Sequence, residues 1–201
     1  MLRLKNRLGL ASHRFLARYT RRHSGPGSGL PIVTLIPDDC RRLTCPFVTP
    51  SGCRVYPDRP SSCRTYPLVR ILRRARDTAD VREEFRLLRE PHCGGFGVKR
   101  RQTVRAWISD QGLLEYNAEN DRLLEVIGLK ARISSKSLPP SLADQVYTAF
   151  YDLDRLRERL KDGSLADMPA ELMERAQADE VALLHLGLEW VKQLLERKLA
   201  R

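Results

Sequence analysis

Five cysteines offer the most chemistry in this sequence. Four fall between positions 40 and 63, in CRRLTCPFVTPSGCRVYPDRPSSC, and the fifth, Cys93, follows in REPHCGGFG. Thiolates are nucleophiles and soft metal ligands, whereas a lone cysteine more often serves as a small buried hydrophobe. Full pairing into disulfides cannot use up an odd number of thiols. The spacers between successive cysteines are four, seven, nine and twenty-nine residues. Structural zinc modules present two sulfurs from pairs two to four residues apart, and only Cys40 and Cys45 come near that. The Cys45-Pro46 step resembles the one after some cluster ligands, without the close cysteine run of ferredoxins.

Local chemistry says more than spacing. Asp58-Arg59-Pro60-Ser61-Ser62-Cys63 reads as a helix start, with Asp58 or Arg59 at the boundary and Pro60 in the first turn. Cys63 is then expected within that turn, where free N–H groups and the helix dipole favour a thiolate, with Arg59 and Arg64 adding positive charge. Gly52 before Cys53, and Gly94-Gly95 after Cys93, allow the backbone to turn closely around a bulky centre. Phe47, Tyr56 and Tyr66 are candidates to shield it from water. Metal binding is therefore the expectation for this cluster of thiols. Cys40, after Asp38-Asp39, is the weakest candidate and reads either as a ligand or as an unrelated exposed thiol, and His92, beside Cys93, reads either as a ligand or, as one His in a loop more often is, as a surface residue. His13, His23 and His185 are scattered and receive no role.

The elements that must position these thiols follow from pattern. Residues 2–19 place Leu4, Leu8, Phe15 and Leu16 at helical spacing, with an interruption near Gly9 and a restart at Ser12. That segment has no acids, a feature shared with transit peptides and membrane-surface helices; a helix packed on the core with arginines outside is the simpler expectation. Ser24–Pro31 reads as a loop and Pro31–Ile36 as a strand. Tyr66–Leu72 and Val81–Leu88 are expected to pair across a polar turn at Arg76–Ala79, and Pro91–Gly97 forms a loop carrying Cys93. Beyond it the signals are helical. Thr103 caps a helix ending near Gly112, Asn117–Gly128 forms another, and Pro140 opens a third that runs to about Lys161. Pro169–Ala178 and Asp179–Leu199 complete the set, the last with Val181, Leu184, Leu188, Val191, Leu195 and Leu199 on one stripe. Phe150, Tyr151 and Trp190 read as core. The fold class is α+β, mostly α: a small cysteine-rich core with a short β-hairpin, followed by a C-terminal helical bundle. The expected domains are residues 1–130, a cysteine-cluster metal-binding domain, and residues 131–201, a helical extension packed on it.

Composition narrows the function. The chain has 201 residues and a formal charge of +11, unevenly placed. Residues 1–106 carry 23 Lys and Arg against 8 Asp and Glu, whereas residues 107–201 carry 13 against 17. A basic half attracts nucleic acid, anionic lipid or an acidic partner, but these arginines are dispersed among acids, as on a solvated surface. No apolar run approaches the ~18 residues of a membrane span, and nothing resembles a secretory signal. The expectation is a cytoplasmic protein in a reducing compartment, where metal binding is favoured over disulfides.

The stretch CPFVTPSGCRVYPDRPSSCRTYPL resembles the core of the YkgJ-type cysteine cluster family, the zinc- or iron-chelating CxxCxxCC domain. The matching steps are Cys45-Pro46-Phe47, Gly52-Cys53-Arg54-Val55-Tyr56, Arg59-Pro60 and Cys63-Arg64-Thr65-Tyr66-Pro67, in that order, and Cys93-Gly94-Gly95 resembles a further cysteine of many members. The similarity covers roughly residues 1–130. It implies metal chelation by zinc or an iron–sulfur cluster, with Cys45, Cys53, Cys63 and Cys93 sufficient for tetrahedral zinc or one four-iron four-sulfur cluster. The CxxCxxCC segment itself does not occur here. The helical stretch Leu8–Leu16 looks like the one that follows that segment, so the expectation is a chain that starts downstream of it or has lost it. Two further readings stand beside this one. Related cysteine-cluster domains occur in a flagellin lysine methylase, which implies an accessory or catalytic role in protein modification; no glycine-rich nucleotide loop and no evident catalytic triad accompany it. An arginine-rich module for nucleic acid or an acidic partner is the other, without a visible recognition motif.

Overall fold

The computed structural model describes all residues except 40, 42, 75–80, 100, 135 and 200–201. Two N-terminal helices, α1 (Leu2–Arg7) and α2 (Ser12–Tyr19), lead into strands β1 (Thr20–Ser24) and β2 (Pro31–Leu35). The short strands β3 (Val48–Thr49) and β4 (Gly52–Cys53) precede a 3-10 turn at Tyr56–Asp58, helix α3 (Ser61–Thr65), and strands β5 (Leu68–Arg74) and β6 (Val81–Leu87). The rest is helical: α4 (Val104–Asp110), α5 (Leu113–Ile133), α6 (Pro140–Phe150), α7 (Leu153–Lys161), α8 (Ala170–Ala178) and α9 (Glu180–Leu199). Consecutive strands pair antiparallel as β1–β2, β3–β4 and β5–β6. The fold is α+β and mostly α, with a helical C-terminal region, as expected. Among the described residues no helix is long and apolar enough to cross a membrane.

Packing divides the chain into two compact units. The first is Met1–Asp58 with Asp121–Arg201, and the second is Arg59–Asn120. The expected boundary at residue 130 falls inside α5.

The first unit holds two apolar clusters. The larger gathers Val126 of α5 with Val146, Ala149, Leu156, Leu183, Leu186, Val191 and Leu195 from the later helices. The smaller joins Leu4, Phe15, Leu16 and Tyr19 to Phe47 and Val55. In α2 the spacing of Phe15, Leu16 and Tyr19 from Ser12 puts all four on one buried face, while Arg14 and Arg18 stay exposed. Helix α9 departs from the single stripe expected. Leu183, Leu186 and Trp190 are buried along with Leu188, Val191 and Leu195, whereas Val181 is exposed, because the helix is covered on more than one side.

The helix expected from Pro140 to Lys161 is two. It breaks at Tyr151 and Asp152, where the backbone leaves helical angles and α7 restarts. The reason lies far away in sequence. Ser12 donates its backbone N–H to Asp154 Oδ2 at 2.5 Å and its hydroxyl to Asp152 Oδ1 at 2.8 Å, and accepts the Asp154 N–H at 2.9 Å. Ser12 thus restarts α7 as well as opening α2. Nearby, the buried Lys5 ammonium contacts Glu180 Oε1 and Asn6 Oδ1, each at 2.7 Å. A second buried lysine, Lys130, donates to the Ser134 carbonyl and, at 2.7 Å, to that of Lys136. Gly29, at φ +65°, lies against the same connection; a Cβ there would stand 3.0 Å from the Ser137 nitrogen.

In the second unit β5 and β6 pair in register from Leu68↔Leu87 to Arg74↔Val81. The turn expected at Arg76–Ala79 lies outside the described residues. Thr103 caps α4, its hydroxyl accepting the Ala106 N–H at 3.1 Å. Among the described residues Leu113 is the one fully buried apolar side chain of this unit.

Candidate metal centre

Each of the four expected ligands has a local frame. In the first unit, Val48 donates its N–H to the Cys45 carbonyl at 3.1 Å and pairs across the β3–β4 ladder with Cys53. Arg54 N–H closes the loop on the Phe47 carbonyl at 3.0 Å. Gly52, at φ +112°, supplies a turn that an L side chain resists. This tight hairpin brings the backbone after Cys45 alongside Cys53, and both residues, half-buried, pack on the smaller apolar cluster. Phe47 is buried there, with the Arg54 guanidinium 5.4 Å from its ring centroid. Tyr56, in contrast, is 57% exposed.

In the second unit Cys63 is the third residue of the five-residue helix α3, with Pro60 at its cap position. It therefore stands in the first turn, as expected, and its side chain is exposed. The flanking arginines reach Gln111 and Tyr116. Arg59 donates to the Gln111 side chain, while Arg64 donates to the Gln111 carbonyl at 2.8 Å and to the Arg59 carbonyl at 3.2 Å. The Arg64 guanidinium also lies 4.9 Å from the Tyr116 ring centroid. These arginines tie α3 to the start of α5.

Cys93 is half-buried in a turn closed by its own N–H on the Glu90 carbonyl at 3.0 Å, with Gly94–Gly97 forming a 3-10 turn after it. Tyr66, three residues past Cys63, reaches this turn. Its hydroxyl lies 3.3 Å from His92 Nε2, and the two rings stack with centroids 6.2 Å apart. Partial burial, then hydrogen bonds to Glu90 and Cys93, push the Tyr66 phenol above its ordinary value. His92 is exposed, with Nε2 3.5 Å from Glu90 Oε2. Cys40 lies outside the described residues.

None of the four described cysteines is fully buried. The structure places Cys45 and Cys53 in the first unit and Cys63 and Cys93 in the second. Among the described residues no group of three or more His, Cys, Asp or Glu side chains converges on a point where an ion could sit. No family model, no curated protein and no solved structure matches the chain.

The residues that sequence reasoning missed belong to the first unit. Ser12, Asp152 and Asp154, with Lys5 and Glu180, form a polar network whose members lie about 140 to 175 positions apart. Nothing in a serine or aspartate read singly announces such a partner. Burial would raise the Asp154 carboxyl, yet the hydrogen bonds from Ser12, with Lys5 nearby, hold it below the usual range. Glu180 is likewise depressed, by Lys5 and Asn6, against its own burial.

Proposed function

We propose that this chain is a cysteine-ligated metal protein in which Cys45, Cys53, Cys63 and Cys93 bind zinc or an iron–sulfur cluster. The observation that carries the reading is the second unit's want of a core. Arg59–Asn120 is a unit of domain-like compactness, yet Leu113 alone among its described apolar side chains is fully buried. Units this small that cannot bury enough apolar surface are commonly held by metals or disulfides. Its two cysteines reach solvent, Cys63 exposed and Cys93 half-buried, which suits ligands better than packing groups. The Cys45–Cys53 hairpin supports the same reading, because a glycine-assisted turn is how short segments present two sulfurs. When bound, the metal supplies folding energy, or redox chemistry in the case of a cluster.

Purification without oxygen, followed by zinc, iron and acid-labile sulfide analysis, tests this directly. About one zinc, or one cluster, per chain is expected. Visible absorbance that bleaches in air identifies a cluster, and its absence with stoichiometric zinc identifies zinc. Cys53→Ser and Cys63→Ser should each lose most of the metal, and Cys40→Ser should retain it. Metal-free protein from protected preparations, or equal loss at Cys40, would overturn the assignment.

A further inference from the structure

The first unit opens a cavity of about 300 Å³ beside α2, β1 and the end of α6, far in sequence from the cysteines. Its apolar lining includes Leu16, Ala17 and Tyr147, and its polar lining includes His13, Arg22 and Asp152. That volume is at the lower end of small-molecule sites.

Arg22 and Asp152 each bond a residue outside the lining. Arg22 Nη1 donates to Asp144 Oδ1 at 2.6 Å, and its guanidinium lies 4.6 Å from the Tyr147 ring centroid. Asp152 Oδ1 accepts the Ser12 hydroxyl at 2.8 Å, an orienting bond that leaves the carboxylate charge in place. The Arg22 charge is therefore met by Asp144. Among the described residues Asp152 makes no ion pair. The formal charge left uncompensated on the cavity wall is thus negative. Tyr147 feels it: burial first, then Asp152, push its phenol above the ordinary value against the opposing pull of Arg22.

We propose that this cavity binds a small organic cation, a primary ammonium on a short aliphatic stem, with the ammonium at Asp152 and the stem along Leu16 and Ala17. A carboxylate ligand would meet Asp152 and find Arg22 already paired. An alkylammonium removes apolar surface from water and gives Asp152 the counter-ion it lacks. Because Asp152 and Arg22 are oriented beforehand, little ordering remains for the ligand to induce.

Isothermal titration of the full chain with 1,5-diaminopentane, with pentanoate as the anionic control, decides it. Saturable binding of the amine at one site is expected, with none for pentanoate. Asp152→Asn should weaken the amine about tenfold or more. Since that change also touches Ser12, Ala17→Leu is the second variant; it fills the cavity on an exposed helical position and should abolish binding while the melting temperature holds. Nα-acetyl-lysine methylamide separates the two sources of this chemistry. Tighter binding than diaminopentane assigns the ammonium to a peptide side chain, and weaker binding assigns it to a free amine. The proposal falls if neither amine saturates, if pentanoate binds as well, or if both variants bind the amine like the parent.

Discussion

Ser12 shows how much one hydroxyl can organise. It opens α2, restarts α7 and orients two aspartates, so its loss leaves half-buried carboxylates with fewer donors. Ser12→Ala is expected to cost ~1–3 kcal/mol at pH 7, measured by urea unfolding. The pH dependence carries a sign. Asp154 has a folded pKa below its unfolded value near ~4, so its contribution is present above that value and is lost as pH falls through the folded pKa. The gap between Ser12→Ala and the parent should therefore narrow in acid. A gap that stays constant down to pH ~2 would show that the serine acts through packing alone. Glu180 follows the same rule: its carboxyl, depressed against its burial by Lys5 and Asn6, stabilises at neutral pH and stops doing so once protonated.

Elements were legible in the sequence wherever a local pattern decided them. The α2 face, the Thr103 cap, the β5–β6 pairing and the start of α8 rest on neighbours within a turn or a strand. The Tyr151–Asp152 break was not, because the residue that imposes it lies in α2. Strand β1 was missed for a related reason. Thr-Arg-Arg-His-Ser has little strand character of its own and is held by register with Pro31–Leu35. Helix packing supplies a prediction at this scale. Gly187 lets α9 approach α6 so closely that an added Cβ would stand 2.6 Å from the Ala149 carbonyl oxygen and 2.9 Å from Leu156 Cδ2. Gly187→Ala should destabilise by ~1–3 kcal/mol, despite alanine's better helix propensity, as read from thermal or denaturant melts. Unchanged or raised stability would mean that α6 yields to the methyl.

Across the whole molecule, apolar burial is uneven. The first unit holds both buried clusters, and among the described residues the second buries Leu113 alone of its apolar side chains. If cysteine ligation stabilises Arg59–Asn120, chelation should speed amide exchange in β5 and β6 tenfold or more and leave α6 and α9 unchanged. Uniform acceleration, or none, would count against a metal with that role. The thiols were legible as chemistry from residue type, and Cys63 was legible in its helical turn. Whether they converge was not, because the meeting of side chains separated by up to 48 positions is a property of tertiary structure, which spacing does not encode. The buried Lys130 has a consequence of another kind. A lysine on a long, polar-patterned helix looks like an open handle for acylation, methylation or ubiquitin attachment, yet this amine is sealed against carbonyls of the segment that follows it, at Ser134 and Lys136. Burial lowers its pKa, and while the fold is closed the amine lies out of reach of a modifying enzyme.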